Sequence, residues 1–224
     1  MAAVATLGTP RRSPCLVQAP DPFPDPERVY LYAAGGANAA GQRLDSIEVL
    51  PITIESDRLQ TVGAWADAGQ ALSRARERCA GASVDSGSHS VVDEGEAWVY
   101  FLGGAAASGA VGTVDAAPVL ERGALGPLQQ ARALSPARAG AAVASASDFL
   151  YLFGGQQDNP SASGTSGALE APTLPDVRNW NSLGTSLSEA RWLPGSAQAS
   201  AVLFVIGGET DSSAASASVD WTNY

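Results

Sequence analysis

Three groups of side chains in this chain are of a kind that could do polar chemistry. Acids recur behind a small and an aliphatic residue, in Ser46-Ile47-Glu48, Thr113-Val114-Asp115, Ala168-Leu169-Glu170 and Ser218-Val219-Asp220. Arginines recur at Arg76, Arg138 and Arg191. Gathered at one mouth, guanidinium and carboxylate groups would suit carbohydrate chemistry, with arginine gripping an acidic sugar and acids moving protons. Repetition argues the other way, because a catalytic centre is asymmetric whereas a structural device is copied. Both sets are therefore read as scaffold, each guanidinium bonding turn carbonyls or the repeated acids. The third group does not repeat. Asp85, His89, Asp93, Glu94 and Glu96 crowd into one stretch, SVDSGSHSVVDEGE. Their types could hold a divalent ion weakly, although a solvated loop is the simpler reading. Scaffold positions repeat and functional loops do not, so these five are the candidate binding residues. No catalytic residue, metal site or cofactor is assigned.

Composition narrows the classes further. All thirteen basic residues are arginine, so Schiff-base chemistry and phosphate loops of the Gly-Lys-Ser/Thr kind are excluded. A single histidine, His89, rules against a multi-histidine zinc or copper centre. A net charge of −10 disfavours a grip on nucleic acid or anionic lipid. Cys15 and Cys79 form no Cys-x-x-Cys pair and read as two separate thiols, with a bridge from the N-terminal arm to the first repeat as the alternative. No run approaches the ~18 apolar residues of a membrane span, and no apolar segment follows Arg11 and Arg12 as in a secretory signal. The expectation is a soluble chain, cytoplasmic by default.

The elements that must position these groups are strands. Phe149 to Gly155 reads FLYLFGG: five aromatic or aliphatic residues stopped by a glycine pair, too short for a helix. Close copies are VYLYAAGG, WVYFLGG and AVLFVIGG, ending at Gly35-Gly36, Gly103-Gly104 and Gly207-Gly208 beside Gly154-Gly155. The pairs stand 68, 51 and 53 residues apart, and the long first interval is accounted for by an insert around His89. Each acid figure reads as a half-buried strand after its glycine pair. Trp65 and Trp180, with Leu128 in the middle unit, read as packing pegs between neighbouring sheets. After each arginine a small-residue segment such as Ala139 to Ser147 reads as a strand leading into the next glycine-pair strand. Arg74, Arg76 and Arg78, alternating with Ala75 and Glu77, read as a charged strand edge. A period near fifty with four short strands per unit predicts an all-β propeller of about four blades.

These features in this order resemble kelch repeats: a strand ending in Gly-Gly, a small-aliphatic-acid strand, a tryptophan, an arginine, then a small-residue strand. The resemblance spans residues 26–224, with units at 26–75, 76–137, 138–190 and 191–224 behind an arm at 1–25. The chain is divergent and has fewer blades than such propellers usually carry. Three readings of the short count are open. The Cys15-Leu16-Val17 strand closes the last blade, an open arc needs a second chain and forms a homodimer, or the chain is part of a larger kelch protein. The resemblance implies a non-catalytic module binding a protein or glycan through blade loops. Its rival is a carbohydrate-active hydrolase or isomerase.

Overall fold

The computed structural model describes residues 5–23, 28–55, 58–85, 96–146, 149–157, 165–170 and 180–224. Among these residues the fold is all-β, with one helical turn at Glu121–Gly123. The first sheet holds β1 (Cys15–Pro20), β2 (Arg28–Ala34), β3 (Ser46–Glu55), β4 (Arg58–Val62) and β5 (Ala66–Ala71), in order β1-β2-β3-β4 with β5 also on β3. The second holds β6 (Ala80–Asp85) and β7 (Ala97–Leu102), followed after a two-stranded ribbon, β8 (Ala105–Ala106) and β9 (Gly109–Ala110), by β10 (Val114–Pro118) and β11 (Gln129–Ala131). The third runs β12 (Ala142–Ala146), β13 (Phe149–Phe153), β14 (Thr165–Glu170) and β15 (Trp180–Ser186). The fourth has three strands, β16 (Gly195–Ala199), β17 (Val202–Ile206) and β18 (Val219–Asn223). All pairings within these sheets are antiparallel.

The glycine-pair strands β7 and β13 are apolar along their whole length because the sheets stack face to face and bury both sides of these middle strands. In β7, Val99 and Phe101 join Val17, Tyr30, Tyr32 and Ile47 in a core between the first two sheets. Their neighbours Trp98, Tyr100 and Leu102 turn the opposite way, to Leu150 and Leu152 of the third sheet. Tyr151 and Phe153 then meet Leu203 and Val205 of the fourth. Each such large side chain withdrawn from water contributes roughly 1.5–3 kcal/mol. First strands of successive sheets lie side by side, β1 by β6, β6 by β12 and β12 by β16. Two hydroxyls tie this row: Ser83 donates to the Gln18 carbonyl at 2.7 Å, and Ser196 to the Val143 carbonyl at 2.8 Å.

Three expectations are corrected. The Cys15–Val17 strand does not complete the last sheet; it belongs to β1 and pairs with β2, Cys15 opposite Ala34. Its alternation explains the choice: Cys15, Val17 and Ala19 are buried against the second sheet while Leu16 and Gln18 are exposed. The first sheet therefore begins at Cys15, within the expected arm. Second, the cysteines are bridged, Cys15 to Cys79, with Cα atoms 5.1 Å apart. The bond clips the first sheet to the start of the second. Third, Arg74, Arg76 and Arg78 lie in the connection between β5 and β6, and Arg76 is wholly buried.

Candidate functional site

Recurring arginines and acids meet one another in the second and fourth sheets, at the glycine-pair end of the strands. Arg76 donates from Nη1 to Asp115 Oδ2 at 2.8 Å and from Nη2 to the Phe101 carbonyl at 3.0 Å, and both side chains are fully buried. Asp115 also accepts the Ser73 hydroxyl at 2.6 Å and the Ser73 N–H at 3.1 Å. The fourth sheet repeats the arrangement: Arg191 donates to Asp220 at 2.6 Å and to the Val205 carbonyl at 3.1 Å, and Ser188 donates to Asp220 from hydroxyl and N–H. In the third, Arg138 donates to the Gly154 carbonyl at 3.0 Å, and Glu170 stands on β14 opposite Phe149. Charge this deep is costly unless paired and hydrogen-bonded, as Arg76 is with Asp115 and Arg191 with Asp220. Burial pushes the Arg76 and Arg138 guanidinium groups below their ordinary range, with Asp115 pulling Arg76 back up. Burial pushes the Asp220 carboxyl up, but the Ser188 donors and Arg191 outweigh it and hold the group below the usual carboxylate range.

Each arginine also faces backwards along the chain. The Arg76 carbonyl accepts the Gly36 N–H at 2.8 Å, the Arg138 carbonyl that of Gly104 at 2.9 Å, and the Arg191 carbonyl that of Gly155 at 3.0 Å. This approach is why the pairs are glycine. Gly103 has φ +62°, and a Cβ there would come within 2.4 Å of the Arg138 carbonyl oxygen. Two residues on, a second series crosses the same boundaries: Arg78 N–H to Ser13 C=O at 2.9 Å, Gly140 N–H to Arg78 C=O at 2.7 Å, Leu193 N–H to Gly140 C=O at 2.6 Å. Ser13, Arg78, Gly140 and Leu193 all have positive φ.

No family model matches the chain, and no curated protein matches it in sequence. Its functional residues therefore rest on position and chemistry alone. One was missed in the sequence. Arg11, its side chain without exposure, pairs with Glu48 and donates to the carbonyls of Gly35 and Ser46 at 2.9 Å. Gly8 and Thr9 supply the backbone donors to Glu48. A signal existed: Leu72-Ser73-Arg74-Ala75-Arg76, Leu134-Ser135-Pro136-Ala137-Arg138 and Leu187-Ser188-Glu189-Ala190-Arg191 are one pentad, and Leu7-Gly8-Thr9-Pro10-Arg11 is its worn copy. Each arginine precedes the first strand of its sheet by four residues.

Of the five candidate binding residues, His89, Asp93 and Glu94 lie outside the described residues. Asp85 ends β6 opposite Ala97, and Glu96 is exposed just before β7, accepting the Trp98 indole N–H at 3.2 Å. They thus stand at the end of the sheets remote from the arginines. Among the tryptophan positions, Trp180 packs on the core between sheets two and three and donates to the Arg132 carbonyl at 3.0 Å. Leu128 packs on the first core, and Trp65 is half-buried before β5.

That same remote end carries a cleft of about 460 Å³ between the first two sheets, lined by Arg28, Tyr30, Thr53, Thr61 and Arg122. The turn at Glu121–Gly123 forms one wall; its Gly123 carbonyl accepts the Tyr32 hydroxyl at 3.0 Å. Tyr30 donates to Asp21 at 2.7 Å, and burial together with that carboxylate pushes its phenol up to about 12. Two guanidinium groups and threonine hydroxyls make a surface suited to an anionic oxygen group.

Proposed function

We propose that the chain is a kelch-like β-propeller module that binds a protein or glycan through the loops at one end of its sheets, without covalent chemistry. The observation that carries this reading is the division of labour among the arginines. Those that recur are held inside the scaffold on carbonyls of their own sheets, and Arg11, Arg76 and Arg191 also on an acid there, rather than gathered at one mouth as a carbohydrate-active site would require. Arg28 and Arg122 are outside the repeat and line the cleft, at the same end of the sheets as Asp85 and Glu96. Repeated sheets that stack by the same contacts support a propeller-type arrangement, and four such sheets match the four glycine pairs. The disulfide favours an oxidising compartment over the cytoplasmic default.

The test is a screen of the immobilised chain against acidic glycans and acidic peptides, run beside the double variant Arg28→Glu/Arg122→Glu. Saturable binding that weakens with salt and falls at least tenfold in the variant is expected. Equal binding by both proteins sinks the cleft as the site. Turnover of glycoside substrates by the wild-type chain would move the reading to the enzyme class.

A further inference from the structure

We propose that the fourth sheet docks head-to-tail on the first sheet of a second copy of this chain. The argument begins with what each boundary between sheets contains. Three elements recur at all three: an apolar face, a glycine-pair N–H donated forward to an arginine carbonyl, and an N–H of a positive-φ residue donated backward. On the outer side of the fourth sheet the halves of all three stand without their complements.

Val202, Phe204 and Ile206 alternate on that outer side of β17, and the register sets Trp221 opposite Phe204 and Val219 opposite Ile206. Ile206, Val219 and Trp221 are 46%, 56% and 65% exposed. Their equivalents in the first two sheets are buried: Ala34 and Leu102 for Ile206, Ile47 and Val114 for Val219. An apolar strip of this size on a sheet face marks an interaction surface. Among the described residues nothing accepts the Gly208 N–H, and nothing donates to the Leu193 carbonyl.

The missing complements are on the first sheet. The Arg11 carbonyl, equivalent to those of Arg76, Arg138 and Arg191, accepts from no described residue, and the Ser13 N–H, equivalent to those of Arg78, Gly140 and Leu193, donates to none. Leu16 is 65% exposed on the same side, and Leu31 is half-buried where its equivalents Val99, Leu150 and Leu203 are buried completely. Donor therefore meets acceptor twice, Gly208 to Arg11 and Ser13 to Leu193, and apolar face meets apolar face. The occupant that satisfies all of these at once is a second copy's first sheet. Such an interface is heterologous, so two copies that close use it twice.

Light scattering on the whole chain tests this, with Trp221→Arg and Leu16→Arg as variants at the two ends and circular dichroism to establish that each stays folded. The wild-type chain is expected at the mass of two or more chains, and each variant at the mass of one. Mixing the two variants restores a pair, since one intact surface survives on each partner. The milder Trp221→Gln and Leu16→Gln should raise the concentration at the assembly midpoint at least tenfold. A single-chain mass for the wild type overturns the proposal. So does assembly that Leu16→Arg leaves intact, which would mean that Trp221 faces Trp221, and so does a mixture of folded variants that stays at single-chain mass.

Discussion

Asp115 and Arg76 have no exposed side-chain surface, so neither can fall back on water when the other is removed. Asp115→Ala should cost about 3–5 kcal/mol, most of it the penalty of an uncompensated buried guanidinium. Arg12 offers the contrast. Its side chain is 68% exposed and reaches Glu77 only at 3.9 Å, so Arg12→Ala should cost less than about 1 kcal/mol. Urea unfolding followed by far-UV circular dichroism measures both; equal costs would mean that the buried pair adds no more than a surface one. Arginine ion pairs of one chain thus differ several-fold in consequence. Composition could not show this, because burial is decided by the turn that carries each residue. Recurrence with the acids was the legible part. Arg11 was not, since its Leu-Gly-Thr-Pro-Arg pentad supplies backbone donors where the others offer serine.

At the scale of the element, the glycine pairs show how much a close backbone approach can demand. Gly103 and Gly69 both have positive φ, which strains any L side chain by roughly 1–2 kcal/mol. A Cβ on Gly103 would strike the Arg138 carbonyl, whereas nothing lies within 4 Å of one on Gly69. Gly103→Ala should therefore destabilise by about 1–3 kcal/mol more than Gly69→Ala, the ordinary cost of overpacking. Matched thermal melts would show it, and equal shifts would refute the crowding argument. Strand identity was plain in the sequence for the same reason: an apolar run halted by two glycines has few other uses. The positive-φ series was invisible, because Ser13, Arg78 and Leu193 carry no conformational signature of the kind glycine does.

For the whole molecule the disulfide is the covalent tether between the first two sheets, spanning 64 residues of sequence. On loop-closure grounds it contributes about 4 kcal/mol, so Cys15→Ser/Cys79→Ser should lower the unfolding free energy by that order. The urea midpoint of the double variant checks this, and an unchanged midpoint would mean that the bridge is idle. Sequence pointed to repeats and to an all-β chain, yet it favoured separate cysteines over a bridge and offered the Cys15–Val17 strand, in one of three readings, to the last sheet. Both errors have one source. Which sheet a strand joins depends on long-range pairing, and β1 reads the same beside either partner until its buried side is known.

The backward series of hydrogen bonds has a consequence for how such a chain can change over generations. Ser13, Arg78, Gly140 and Leu193 share a backbone conformation and nothing else; a hydroxyl, a guanidinium, a hydrogen and an isobutyl group do the same work. A seam written in main-chain atoms imposes almost no spelling on the residues that form it. Repeats joined this way are free to drift apart in sequence while remaining interchangeable in shape, and duplication or loss of one leaves its neighbours with the same two bonds to offer.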